Sequence, residues 1–261
     1  MIARLLHLIH RIARRIAGQR AGRVLEDMAR LPLTPADVLL SKGPILVMAP
    51  HPDDESLGCG GLLALAAQRG VVARVVIMTD GSGSHPGSTE FPPERLRGLR
   101  EQEATQAVQA LGLPADAVVF LRQPDGALPR TGPGADALVD EISAECVRIG
   151  AASLMSTWIF DGHGDHVTTA ILAKRISRKS RTNLYYYPIW GLKLDPAARL
   201  GMYAKLRGWR IDIDQVLDRK RNAIACHRSQ MSDLIKDSEN IPLTADVYAP
   251  FSRPFETYVA G

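Results

Sequence analysis

From Pro44 onward the chain alternates short apolar runs with longer stretches of helical period, the pattern of a βαβ series around a mainly parallel sheet. Ile45 to Ala49 reads as a first strand, and Gly60 to Arg69 as a helix that Gly70 ends. Val71 to Thr79 is a second strand, rich in valine and isoleucine, residues that suit a buried pleated surface. A glycine-rich loop opens at Thr79 to Ser84, and Pro86, Pro92 and Pro93 keep it irregular. A helix follows from about Pro93 to Leu111, closed by Gly112. Val118 to Leu121, Ser153 to Trp158 and Leu184 to Tyr187 read as further strands, and Asp136 to Ile149, His166 to Ser180 and Val216 to Cys226 as helices. The rest of the chain beyond Pro188 has no readable period, and no internal repeat or low-complexity segment occurs. The predicted architecture is α/β: a three-layer Rossmann-like domain over residues 41–261, with a mainly parallel central sheet, preceded by a helical arm over 1–40.

The arm has a pattern of its own. At about 100° per residue, Ile2, Leu5, Leu6, Ile9, Ile12, Ala13 and Ile16 fall on one face, and Arg4, His7, Arg11, Arg14 and Arg15 on the other. A secretory signal needs an unbroken apolar run of about 7–15 residues and a spanning helix about 20, and the arginines interrupt both. Three readings of this amphipathic basic helix stay open: it lies on an anionic membrane, docks on a partner, or packs on the body. Residues 1–20 are thus a candidate for peripheral contact with an anionic inner membrane surface.

Composition sharpens this picture. The 261 residues, 46% hydrophobic and 23% charged, fall in the globular range with mass for one large domain. Seven arginines against Glu26 and Asp27 give residues 1–30 a charge of +5, and from +4 overall the remaining chain is −1. A nearly neutral body argues against nucleic acid as a partner. Cys59, Cys146 and Cys226 are odd in number and form no CxxC pair, which suggests neither a disulfide framework nor a zinc ribbon and fits a reducing compartment such as the cytoplasm.

In parallel sheets, ligands gather outside the carboxyl ends of strands, and two polar clusters fall there. His51 to Glu55 follows the first strand, and His163 to His166 follows the strand at Ser153 to Trp158. A lone histidine is more often a satisfied structural group, and a lone Asp-Asp pair a turn or cap; the weight lies in their joint occurrence at strand ends. A hydrolytic zinc needs about three protein ligands and an open position for water. His51 and Asp54 supply two of them on a turn fixed by Pro52, and either His163 or His166 the third. Asp53 is then free to serve as general base. The second histidine would stabilise a developing oxyanion or protonate a leaving amine, and Asp165 would orient an imidazole.

The run Ala49-Pro50-His51-Pro52-Asp53-Asp54-Glu55, continued by Leu57-Gly58-Cys59-Gly60-Gly61, resembles the first motif of the PIG-L/LmbE-like deacetylases. These are zinc enzymes that remove acetyl groups from N-acetylglucosaminyl and related amides. Their second motif, His-Pro-Asp-His, is matched by His163-Gly164-Asp165-His166 with Gly164 in place of proline. The resemblance implies His51, Asp54 and His166 as zinc ligands, Asp53 as general base, His163 as the group stabilising the tetrahedral intermediate, and Asp165 as its holder. It also implies Arg100 near the sugar hydroxyls, set against a surface ion pair with Glu103. His85 reads as a mobile solvent histidine, His227 as structural or lid-forming, and Cys59 as a packing residue. The resemblance spans about residues 44–235, with the two motifs specific and the rest weak. The implied substrate is a small molecule or glycoconjugate bearing an N-acetyl amino sugar, the alternative being a non-sugar N-acyl amide. A module holding zinc structurally fits less well, because structural sites are closed by four ligands.

Overall fold

The computed structural model describes residues 19–200, 206–238 and 248–261. The amphipathic pattern from Ile2 to Ile16 therefore lies outside the described residues. Strands β1 (Leu33–Thr34), β2 (Ile45–Ala49), β3 (Ala73–Thr79), β4 (Val118–Gln123), β5 (Ser153–Thr157), β6 (Asn183–Tyr187), β7 (Gly208–Asp212) and β8 (Phe255–Ala260) form one sheet. Their order is β1-β7-β8-β6-β5-β2-β3-β4. The run from β6 to β4 is parallel throughout, and β8 is antiparallel to both β6 and β7.

Strand β2 is apolar at every position because both faces of the sheet are covered there. Ile45 and Val47 enter one core with Leu62, Ala104 and Ile224. These come from α2 (Asp54–Gln68), α3 (Pro93–Ala110) and α6 (Leu217–Cys226), while α1 (Ala21–Ala29) packs in a separate cluster with Trp158 and Val259. Leu46 and Met48 enter the opposite core with Leu138, Ile142, Leu172 and Ile176, from α4 (Gly132–Ile149) and α5 (Gly164–Ser180). From β2 the chain builds outward to β3 and β4, then returns to β2's other side to build β5 and β6. The sheet reverses its order of growth between β2 and β5, and a crevice opens at such a point.

Two expectations change. Helix α2 starts at Asp54, not Gly60. Its early glycines are contact points with the rest of the fold: a Cβ on Gly58 would lie 2.2 Å from the Tyr187 ring, and one on Gly61 would lie 2.6 Å from Ile213. Strands β7 and β8 arise where no period was legible, because β8 points Glu256 inward. That carboxylate is buried against Lys220 Nζ at 2.6 Å and accepts the N–H groups of Gly61 and Leu62 in α2. The described part of the 1–40 segment lies against the body: Ala21, Val24 and Met28 pack with Trp158 and Val259, Leu39 and Leu40 are in the core, and β1 pairs with β7.

Candidate metal centre and catalytic pocket

Both motifs sit at the β2–β5 crevice. The turn after β2 is pinned first by its backbone: Pro50 O accepts from Thr79 N and Oγ1 at 3.0 and 2.9 Å. Arg100, 2% exposed, donates to Pro52 O at 2.7 Å and Gly81 O at 2.9 Å. Asp53 then takes φ of 149°, a region that an L-residue occupies only under constraint, at a cost of about 1–3 kcal/mol. Its N–H donates to Glu55 Oε2 at 3.0 Å, and its carbonyl accepts from Ser56 and Leu57 to start α2. The twist separates neighbouring carboxylates. Asp54 turns inward and accepts the His51 N–H at 3.0 Å, while Asp53 lies beside Arg100 Nη2 at 3.4 Å.

The loop after β5 is longer. His163 is the N-cap of α5, its Nδ1 accepting the Asp165 N–H at 3.2 Å, so the proton of the neutral ring sits on Nε2. His166 lies a turn further in and donates from Nδ1 to Asp161 Oδ2 at 2.6 Å. That bond leaves the Nε2 lone pair facing the crevice.

Three atoms meet there. His51 Nδ1, Asp54 Oδ2 and His166 Nε2 form a triangle whose three sides are each 3.3 Å. Ligand atoms about 2.0–2.1 Å from a tetrahedral zinc lie about 3.3–3.4 Å apart. The other nitrogen of each imidazole is engaged by carboxylate: His51 Nε2 lies 3.2 Å from Asp125 Oδ1 and 3.3 Å from Asp165 Oδ2. Such contacts fix the ring and leave the inward nitrogen as a ligand atom. Five carboxylates, from Asp53, Asp54, Asp125, Asp161 and Asp165, crowd this buried site with the Arg100 guanidinium nearby. The donor set and its charge fit a divalent cation.

Electrostatics follow the same lines. Burial resists charge on His51, but the carboxylates of Asp125, Asp165 and Asp54 outweigh it and hold its pKa well above the usual value. Burial likewise resists charge on His166, which Asp54 and Asp161 raise to about 9. Burial would lift Asp54, but the two imidazoles pull it well below the carboxylate range. Asp53 goes the other way. Burial raises it to about 6, with Arg100 pulling back. His163 is lowered by burial and by the neighbouring imidazoles.

These groups border a pocket of about 300 Å³ lined by His51, Asp53, Asp54, Arg100, His163 and Trp190 among others. The structure brings all seven sequence-predicted site residues to this crevice, with differences in detail. Asp165 meets His163 only through its backbone N–H; its carboxylate engages His51 and accepts the Gly126 and Leu128 N–H groups. Arg100 makes no surface pair with Glu103, which is buried and bound to Ser229. His85 is 4% exposed and bonds Ser84, so it is not a solvent histidine. Asp161 and Asp125 escaped the sequence reading, each being an Asp-Gly step that signals only a turn. Glu55 stands within the first motif but carries no role in the sequence reading; its Oε1 is bound by Ser56 Oγ and His227 Nε2 while its Oε2 holds Asp53.

Residues 46–177 match the family profile described as PIG-L: GlcNAc-PI de-N-acetylase. Diacetylchitobiose deacetylase of Thermococcus kodakarensis is 27% identical over 198 residues, covering 72% of this chain and 70% of that protein. A probable N-acetyl-alpha-D-glucosaminyl L-malate deacetylase 2 of Bacillus subtilis is 28% identical over 201 residues, covering 75% and 86%. The structure of N,N'-diacetylchitobiose deacetylase from Pyrococcus horikoshii shares the fold, with a TM-score of 0.61 at 21% identity over 84% of this chain and 83% of that one.

Proposed function

The chain belongs to the PIG-L family of de-N-acetylases, and from that premise we propose that it is a zinc-dependent hydrolase that frees acetate and a primary amine from an N-acetylglucosaminyl-type substrate. The observation that carries this reading is the 3.3 Å triangle of His51, Asp54 and His166 with an ionisable carboxylate, Asp53, beside it. His51, Asp54 and His166 would hold the zinc, which when bound supplies Lewis-acid polarisation of the amide carbonyl and lowers the pKa of water.

The remaining chemistry falls to the chain. Asp53, with its pKa raised by burial to about 6, is ionised at neutral pH yet basic enough to take a proton from the attacking water. As the water oxygen bonds the acyl carbon, the carbonyl oxygen gains charge, and the His163 Nε2–H is the donor that stabilises it. The proton on Asp53 then passes to the amide nitrogen, the C–N bond breaks, and the amine leaves. The strained turn keeps Asp53 out of the ligand triangle throughout. Arg100 acts by holding Pro52, Gly81 and Asp53 in place as well as by lining the pocket.

Two finer readings rest on sequence pattern. One is peripheral contact of residues 1–20 with an anionic membrane surface, which the amphipathic pattern offers beside docking on a partner or packing on the body; the other is a cytoplasmic setting, which the free thiols Cys59, Cys146 and Cys226 suit. Among the described residues no helix is long and apolar enough to cross a membrane. Sedimentation with anionic vesicles should lose the chain when residues 1–20 are deleted; equal binding of both forms rejects the contact. The test of the activity is amine release from N-acetylated sugars presented free, nucleotide-linked and lipid-linked. Release from at least one class, abolished by chelation and restored by zinc, is expected; release from none overturns the reading.

A further inference from the structure

Most of the pocket lining is acid, imidazole, guanidinium or small polar groups, but Leu57, Ile189 and Trp190 are apolar. Trp190 is 38% exposed and borders the pocket beside Ile189 and Leu57, so its indole is open to whatever the pocket holds. Its position is set with care by the backbone on either side. The N–H groups of Ile189 and Gly191 both donate to Asp161 Oδ1, at 2.9 and 2.6 Å. The other oxygen of that carboxylate accepts from His166 Nδ1. A Cβ on Gly191 would come within 2.7 Å of Asp161 Oδ1 and of the Trp158 ring, so only glycine lets the turn sit this close. One fully buried carboxylate thus fixes, in a single register, a ligand imidazole and the turn that carries the exposed indole.

We propose that Trp190 is a specificity-determining residue: its indole packs on the apolar C–H face of the substrate's pyranose ring while the acyl group reaches the His51–Asp54–His166 triangle. Asp161 is the positioning residue that sets the spacing between the two. This rests on the amino-sugar reading above. A pyranose ring matches the lining because its hydroxyl edge can meet Ser84, Asp125 and Gln230 while its apolar face covers an aromatic ring. An acyclic amide offers no such face.

The test uses the zinc-loaded full chain with methyl N-acetyl-β-glucosaminide. Trp190→Ala should raise KM about tenfold, the scale expected when an aromatic contact is removed, with kcat within about twofold and zinc content unchanged. Trp190→Phe should restore most of the loss. Binding of the amine product, methyl β-glucosaminide, should change the tryptophan emission of the wild type but not of Trp190→Phe. Gly191→Ala, which forces the turn and Asp161 apart, should raise KM and weaken zinc retention together. A wild-type KM in Trp190→Ala, or an unchanged emission response in Trp190→Phe, overturns the platform; a KM effect in Gly191→Ala with normal zinc retention overturns the role of Asp161. Absence of acetate release by the wild type from every N-acetyl sugar would instead remove the amino-sugar reading itself.

Discussion

The turn after β2 and the loop after β5 each bring two adjacent polar residues to one crevice, Asp53-Asp54 and Asp165-His166, yet they separate those neighbours by different means. In the first, backbone strain divides Asp53 from Asp54: φ of 149° at Asp53, held by Glu55 and Arg100, sends one carboxylate to the triangle and the other to the pocket. In the second, regular helix does it. Asp165 and His166 are successive residues of α5, about 100° apart around its axis, so one meets His51 and the other joins the triangle. The histidines also differ in their support. His166 leans on one fully buried carboxylate, Asp161, whereas His51 is shared by Asp125 and Asp165.

The comparison can be broken most heavily at the triangle. On the proposed assignment His166 is the one ligand the second loop contributes, so in His166→Ala turnover should fall by about a thousandfold or more with substoichiometric zinc; full zinc content measured by mass spectrometry would reject His166 as a ligand. Next comes the difference in support. Loss of such a carboxylate costs about 10–100-fold in metal affinity, and Asp161→Ala should lie at the upper end and Asp125→Ala at the lower, because His51 keeps Asp165. Competition against a chelator measures both, and a larger effect at Asp125 would reverse the comparison.

A smaller effect reads the strained turn through pH. Asp53 has its pKa raised by burial to about 6, and its base form is present above that value and lost as pH falls through it. A bound cation nearby favours the ionised form, so kcat/KM should drop on a single-proton limb at or below about pH 6. A limb centred above pH 7 would assign the base elsewhere. The smallest effect concerns Gly164, which opens α5 where the related motif carries proline. Position N1 of a helix accepts proline, the preceding His163 is extended at φ −98° and ψ 138°, and nothing lies within 4 Å of an added Cβ. Gly164→Pro should therefore stabilise by about 0.4–1 kcal/mol, a rise of roughly 1–4 °C in Tm, with zinc binding intact; a lower Tm would mean that the loop needs glycine.

Legibility followed physical locality. The parallel core was readable because strands buried on both faces are rich in apolar residues, as Ile45–Ala49 is at every step. The first turns of α2 were not, since Gly58 and Gly61 look like breakers until Tyr187 and Ile213 are packed against them. Strand β8 was hidden by Glu256, whose inward charge is tolerable because Lys220, two helix N–H groups and the Tyr258 hydroxyl meet it. In the site, the groups that approach the metal position came from two compact motifs and could be read. The carboxylates that orient them could not. Asp125 and Asp161 stand alone in glycine turns, and only the topology places them against His51 and His166.

The division of labour within Asp53-Asp54 is tested most directly by zinc titration of Asp53→Ala and Asp54→Ala, with turnover measured on the same samples. Asp53→Ala should bind zinc at wild-type stoichiometry while kcat falls about 10²–10⁴-fold, and Asp54→Ala should lose both. Loss of zinc in Asp53→Ala, or its full retention in Asp54→Ala, would contradict the assignment of one neighbour to binding and the other to reaction.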